Sequence, residues 1–209
     1  MKLIMLGAPG AGKGTQAAII CEKYSIPTIS TGAIIRAAIR GGTPVGKQAK
    51  NYIDKGLLVP DEVVIGIIKE RLAEDDCKNG FILDGFPRTT AQADALEKMG
   101  ISIDYAVSIE VDDSIILDRL GGRRECSGCG ATYHIKYNPS KSGDKCEKCG
   151  GELITRPDDC EETIMSRLKV YHETTEVLKD YYNKRGKLIK INGDAGVDDI
   201  TKEIFAALG

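Results

Sequence analysis

The stretch GAPGAGKGT, Gly7 to Thr15, constrains this chain more than any other. It follows an apolar run, Lys2–Leu6, and opens an amphipathic one, Lys13–Tyr24. A glycine-rich turn between strand and helix, closed by a lysine, is the pattern that wraps backbone N–H groups around a phosphate. Glycines let the chain curl around an anion without Cβ clashes, and the helix N-terminus adds partial positive charge. Lys13 adds a compact cation. The pattern departs from G-x-x-x-x-G-K-[ST] in its last slot, because Gly14 follows Lys13 and Thr15 comes one residue late. Thr15 or water must therefore serve any metal there.

The rest of the chain repeats this alternation. Lys2–Leu6, Thr28–Ser30, Phe81–Asp84, Tyr105–Val111 and Lys187–Ile191 read as strands. Their nearly continuous apolar character suits a sheet covered on both faces. Amphipathic stretches at Lys13–Tyr24, Asp61–Glu74, Thr89–Met99 and Asp113–Leu120 lie between them, so a doubly wound parallel α/β sheet is expected. A long helix is expected from about Cys160 to Arg185, with Ile164, Leu168, Tyr171, Leu178 and Tyr182 as its inward stripe and Asp158 and Asp159 capping its start. Two regions interrupt the alternation. Ser30–Pro60 holds two helical patterns around GGTP, and Gly122–Asp159 is rich in glycine and cysteine without helical periodicity.

Composition narrows the function. The chain of 209 residues has room for one core and an inserted module, and 42% apolar with 29% charged residues is ordinary for a globular protein. A net charge of −2 and 5% aromatics argue against nucleic acid or an acidic membrane as partner. No apolar run approaches the ~20 residues needed to cross a bilayer, and KLIMLG is too short for a signal-peptide core. A cytoplasmic location is expected.

Asp84 ends an apolar strand on the rim where ligands of parallel sheets bind, a placement suited to holding Mg²⁺ directly or through water. Phosphoryl transfer spreads charge over three equatorial oxygens, so cations must surround it. Arg36, Arg88, Arg119, Arg123, Arg124, Arg156 and Arg167 supply a candidate set.

Cys126-x-x-Cys129 and Cys146-x-x-Cys149 are separated by 16 residues, and a glycine follows each pair. Four thiolates at that spacing suit a tetrahedral structural Zn²⁺, which would stabilise a module too small for its own core. Iron or cobalt could take the same ligands, and disulfides are the alternative, disfavoured in a reducing compartment. His134 reads as a loop histidine. Cys21, Cys77 and Cys160 read as plain small side chains.

Taken together, GAPGAGKGTQA, ISTG, GLLVPDEVV, FILDGFPRTTAQA, GRRECSGCGATYH, CEKCGGELITRPDD and ETIMSRLKVY resemble the adenylate kinases of the long, zinc-containing bacterial type over nearly the whole chain. That family's loop ends G-K-G-T, which accounts for Gly14. The resemblance implies a P-loop nucleoside monophosphate kinase fold: a parallel-sheet core of residues 1–29, 60–121 and 160–209, a helical acceptor-binding insertion at 30–59, and a zinc-ribbon-like lid at 122–159. It implies the reaction ATP + AMP ⇌ 2 ADP, with Mg²⁺ carried mainly by the nucleotides and waters, in a protein expected to be monomeric.

By the same resemblance Gly10, Ala11, Gly12, Lys13, Gly14 and Thr15 would hold the ATP phosphates. Arg123, Thr132 and Tyr133 would contact ATP from the lid, and Ala195 would lie by its adenine. Thr31, Arg36, Leu57, Leu58, Val59, Gly85, Phe86, Pro87, Arg88 and Gln92 would surround AMP. Arg156 and Arg167 would reach the transferring group, with Lys13, Asp84, Arg88 and Arg123 completing the catalytic set. Ala33 replaces the acidic residue usual after STG, and Asn192 stands where aspartate is common. Rival readings are a kinase for another nucleoside monophosphate, a zinc-ribbon nucleic-acid-binding ATPase, and a catalytically silent relative. Gln92 with Thr31 favours adenine, and the intact Lys13, Asp84, Arg88 and Arg167 favour an active enzyme.

Overall fold

In the computed structural model, which describes all of residues 1–209, β1 (Lys2–Leu6) lies at the centre of a five-stranded parallel sheet. The order is β2–β3–β1–β4–β8, with β2 at Thr28–Ser30, β3 at Phe81–Asp84, β4 at Tyr105–Glu110 and β8 at Leu188–Asn192. Side chains alternate across a strand. Leu3 and Met5 enter one hydrophobic cluster and Ile4 and Leu6 the other. Helices α1 (Lys13–Tyr24), α6 (Asp113–Gly121), α7 (Glu161–Val170) and α9 (Val197–Leu208) cover the first face. Helices α2 (Thr31–Arg40), α3 (Pro44–Ile53), α4 (Asp61–Leu72), α5 (Thr90–Lys98) and α8 (Val177–Asn183) supply the second. The doubly wound core is therefore as expected. None of its helices is long and apolar enough to cross a membrane.

The two interruptions become two small units. Ser30 caps α2 through its hydroxyl, Thr43 caps α3, and Pro44 occupies the first turn of α3, where a missing N–H costs nothing. Gly46 lets these helices approach closely, since a Cβ there would lie 2.1 Å from the Ala38 carbonyl oxygen. The second unit is a three-stranded antiparallel sheet of β5 (Arg123–Cys126), β6 (Thr132–His134) and β7 (Leu153–Ile154), with β5 in the middle. Its small core is Cys126, Tyr133 and Cys146.

Three expectations need correction. The long helix is interrupted by a π-helical turn at Tyr171–Thr175, where the Thr174 hydroxyl donates to the Val170 carbonyl at 2.6 Å. The extra residue rotates α8 relative to α7, so Ile164, Leu168 and Tyr171 pack in one cluster while Leu178 and Tyr182 pack in the other. Asp158 and Asp159 do not cap α7. They lie in a 3₁₀ turn, Cys160 takes the cap position without a side-chain bond, and both carboxylates turn to arginines instead. His134 ends strand β6; its Nδ1 accepts the Lys136 and Tyr137 amides, each at 3.0 Å. The elements that the sequence reading leaves out are the strands β5, β6 and β7 and the helix α9, which buries Ile200 and Ile204 one turn apart.

Ile4 has no solvent exposure and sits in the central strand. Ile4→Ala is expected to lower the unfolding free energy by about 3 kcal/mol in urea denaturation, the range for a fully buried aliphatic deletion. A loss under about 1 kcal/mol would show that this strand is not the core of the molecule.

Candidate active site

The carboxyl ends of all five strands open on one rim, where doubly wound sheets bind ligands. The turn after β1 forms the first wall. Gly7 adopts φ +132°, and a Cβ there would meet the Ile109 carbonyl oxygen at 2.5 Å. Gly12, at φ 97°, holds the cap position of α1 with no side-chain cap, and no acidic residue enters the first turn. Several amides at that helix start are thus left to a bound anion. Lys13 folds back over the turn and donates to the carbonyls of Gly7 at 2.8 Å and Ala8 at 2.7 Å.

Asp84 ends β3, in register with Met5 of β1 and Ser30 of β2. One carboxylate oxygen lies 3.5 Å from where a Gly14 side chain would begin. The residue after the lysine therefore sits directly beside Asp84, whose carboxylate is free to serve a hard cation. Oxygen donors of this kind suit Mg²⁺.

Cations from six separate segments crowd this rim. Enclosure in the crevice pushes the Lys13 ammonium down to about 8, with Arg88, Arg167 and Arg123 adding like-charge repulsion against the attraction of Asp84. Arg88 follows the β3 turn, and its Nε donates to the Gly85 carbonyl at 2.9 Å. Arg123 makes a two-pronged pair with Asp159, at 2.7 and 2.5 Å. Arg167 reaches both Asp158 and Asp159 at 3.0 Å. Burial alone would raise the Asp158 carboxyl, but Arg167, Arg123 and Arg156 outweigh it and hold it below the ordinary range. Burial and the nearby Arg123 and Arg36 push Arg156 down to about 10, with Glu125 opposing. Arg119 serves otherwise, donating to the Gly193 carbonyl at 2.8 Å, and Arg124 donates to the carbonyls of Gly121 and Arg123.

A second crevice lies beside this cluster, under α2 and the start of α4. Thr31, Leu57, Leu58, Val59, Gly85, Arg88 and Gln92 line it, as expected, joined by Gly32, Ile35, Ile53 and Val64. Sequence reasoning missed those four, although Ile35 lies one helical turn from Thr31. Phe86 is wholly buried and Pro87 is buried too, so both back the wall behind the crevice. The Gln92 side chain is engaged within the protein: its carbonyl accepts the Arg88 amide at 2.7 Å and its amide donates to Asp61 at 2.6 Å. Ala195 is exposed on the loop after β8, and Thr132 is exposed on β6. Tyr133 turns its ring inward, with its hydroxyl 3.4 Å from the Cys146 sulfur. A larger cavity of about 300 Å³, lined by Leu96, Glu97, Tyr182, Arg185 and Lys187 among others, draws on none of these residues.

The four paired cysteines gather with all their sulfurs within 4.8 Å of one another. Cys126 and Cys149 stand 3.4 Å apart and Cys129 and Cys146 3.6 Å, far beyond a disulfide bond of about 2.05 Å. Tetrahedral bonding at about 2.3 Å to a central metal would set sulfurs about 3.8 Å apart, so the cluster fits a four-thiolate ion. The Cys129 amide points at the Cys126 sulfur at 3.5 Å and favours its thiolate. His134 is not part of the cluster.

Residues 5–187 match the family model described as adenylate kinase. The chain is 54% identical to an adenylate kinase of Acetivibrio thermocellus, covering all of this chain and 98% of that one. It is 54% identical to an adenylate kinase of Agathobacter rectalis over the whole of both. It is 55% identical to one from Thermodesulfovibrio yellowstonii, over all of this chain and 99% of that protein.

Because Lys13 titrates near 8 in the free protein, its positive charge is present below that pH and lost above it. A bound polyphosphate raises that value, so binding takes up a proton at higher pH. Affinity for ATP measured by calorimetry should fall by up to about tenfold per pH unit above about 8, and Lys13→Gln should bind weakly without that slope. A wild-type affinity that stays level to about pH 9.5 would show that burial does not lower the Lys13 ammonium, and a Lys13→Gln variant binding as tightly as wild type at about pH 7 would contradict its role.

Proposed function

The chain belongs to the adenylate kinase family, and from that premise we propose that it transfers the terminal phosphoryl group of ATP to AMP, giving two ADP, by bringing two nucleotides end to end among the clustered cations. The observation that carries this reading is the convergence of Arg88, Arg123 and Arg167 on Lys13 at the glycine turn, with Arg88 also lining the second crevice under α2. One phosphate site alone would need neither the second crevice nor so many guanidinium groups.

In this reading Gly10 to Thr15 cradle the β- and γ-phosphates of ATP through backbone amides, and Lys13 moves from its carbonyl partners onto them. Thr132, the main chain of Tyr133, and Ala195 border the rest of that nucleotide. Thr31, Arg36, Leu57, Leu58, Val59, Gly85, Arg88 and Gln92 hold AMP, with Phe86 and Pro87 supporting the wall. The AMP phosphate attacks directly, so no protein nucleophile is needed; catalysis is alignment plus neutralisation of the charge on the moving group. Arg88, Arg123, Arg156 and Arg167 supply that neutralisation. Asp84 and Thr15 would hold Mg²⁺, which when bound offsets phosphate charge and orients the oxygens.

We read residues 1–29, 60–121 and 160–209 as the core, 30–59 as the acceptor-binding unit and 122–159 as a lid. A lid serves the reaction because water admitted to the site would hydrolyse ATP. Cys126, Cys129, Cys146 and Cys149 would hold Zn²⁺ as a structural ion, making the lid one rigid piece. Neither nucleic acid nor membrane enters this reading, and the protein acts as a monomer in the cytoplasm.

A coupled assay of ADP formation with AMP, CMP, UMP and GMP offered separately should give turnover with AMP far above the others. Equal rates without any monophosphate would mark an ATPase instead. Lys13→Ala and Arg88→Ala should each lower kcat/KM by at least about a hundredfold, a lost transition-state contact of about 3 kcal/mol. Removing the thiolate-bound metal with a chelator should lower Tm markedly while turnover per folded molecule changes little. Metal-free protein that stays folded yet inactive would contradict a structural role.

A further inference from the structure

We propose that Asp61 is a positioning residue that sets the base of the acceptor: it locks the side-chain amide of Gln92 in one orientation, so that the crevice takes a 6-amino purine and rejects a 6-oxo one. The inference rests on the reading of Gln92 as the group that meets the acceptor base.

Two helix starts meet at this point. Asp61 opens α4, Thr89 caps α5 by accepting the Gln92 backbone N–H at 3.2 Å, and Gln92 lies in the first turn of α5 with 2% exposure. Each oxygen of the Asp61 carboxylate has a donor. The Gln92 Nε2 donates to Oδ1 at 2.6 Å, and the Thr89 hydroxyl donates to Oδ2 at 3.0 Å. At the other end of the amide, Oε1 of Gln92 accepts the Arg88 backbone N–H at 2.7 Å.

A glutamine amide turned end for end keeps its shape and exchanges its oxygen for its nitrogen, so its partners settle which end is which. Here both partners are unambiguous, because a carboxylate only accepts and a backbone N–H only donates. Reversal would set the Gln92 oxygen against the Asp61 carboxylate and the Gln92 nitrogen against the Arg88 N–H, two repulsive contacts in place of two hydrogen bonds. Nε2 keeps one further N–H and Oε1 one further lone pair, and Gln92 lines the crevice under α2.

A 6-amino purine offers a donor at N6 and an acceptor at N1, and a 6-oxo purine offers the reverse. At a given seat a locked amide matches one of these patterns, whereas an amide free to turn matches both. Thr31 indicates which pattern is served. Equally buried and lining the same crevice, its hydroxyl donates to the Gly85 carbonyl at 2.8 Å and so turns only acceptor capacity outward. An amino group satisfies that acceptor, and an oxo group does not.

The test compares AMP with inosine monophosphate, which differs in carrying a 6-oxo group and an N1–H, in the full-length, metal-loaded protein. Asp61→Ala removes the acceptor that fixes the amide, and Asp61→Asn keeps a side-chain oxygen in its place. The ratio of kcat/KM for AMP to that for inosine monophosphate should fall at least about tenfold in Asp61→Ala and stay within about threefold of wild type in Asp61→Asn. General damage to the crevice would lower both substrates together and leave the ratio in place. Should Asp61→Ala fail to fold, Asp61→Ser serves, since its hydroxyl can donate or accept and prescribes neither orientation. A ratio unchanged in the alanine or serine variant, or lost equally in Asp61→Asn, would overturn the proposal. A wild-type protein that transfers nothing to AMP would instead overturn the functional reading. The ratio of dissociation constants for the two monophosphates, measured by calorimetry in the same variants, would then still decide the role of Asp61.

Discussion

An excess of positive charge facing one crevice is the constraint on which the rest of this structure depends. Lys13, Arg36, Arg88, Arg123, Arg156 and Arg167 come from six places in the chain, and like charges at such range repel strongly where water is scarce. The fold bears this only because Asp84, Glu125, Asp158 and Asp159 are threaded among them. Asp159 is the clearest case: fully buried, it holds Arg123 of the lid and Arg167 of α7 together. A buried pair like this adds little net stability, because desolvation offsets attraction, yet breaking it would strand a charge. Its value lies in orientation. Two guanidinium groups are aimed before any nucleotide arrives.

The parallel sheet makes the crowding achievable. Because every strand points the same way, the glycine turn after β1, Asp84 after β3 and the Gly193 turn after β8 all emerge on one rim although they are far apart in sequence. The two inserted units then bring cations from outside the sheet. Residues 30–59 supply Arg36 from α2, and residues 122–159 supply Arg123 and Arg156 from either side of the thiol cluster. The sheet fixes one rim, and the two inserted units add charge to it from outside.

Legibility in the sequence depends on how local the determining physics is. The glycine turn, the five strands and the paired cysteines are local patterns, and each takes the place its pattern implies. Seven residues of the crevice under α2 were legible through motif resemblance, but its apolar lining at Ile35, Ile53 and Val64 was not, since these positions read as ordinary core until the helices are folded together. The π turn at Tyr171–Thr175 leaves no signature in a helical stripe; only the assignment of Tyr171 and Leu178 to opposite faces of the sheet reveals it. Asp158 and Asp159 before a helix read as caps because capping is the local use of such residues. Their actual partners, Arg123 and Arg167, are set by tertiary placement of the lid. Helix α9 was readable from Ile200 and Ile204 at helical spacing, a signal present but brief.

Residues 122–159 show how stability and charge placement become one problem. Strand β5 is only four residues long, yet consecutive side chains serve opposite purposes: Arg123 and Glu125 face the crevice while Cys126 faces the thiol cluster. The cluster has almost no apolar core, only Cys126, Cys146 and Tyr133 with few neighbours, so packing alone cannot hold β5 in register. Four sulfurs within 4.8 Å of one another offer another means, because a metal bound among them would restrain the knuckle that carries each ligand. A slip of one residue in β5 would exchange its faces, burying Arg124 toward Asp159 and turning the acidic side chain away from α2. The face of β5 that joins the sulfur cluster thus goes with the face that turns Arg123 and Glu125 to the arginines and carboxylates of the crevice.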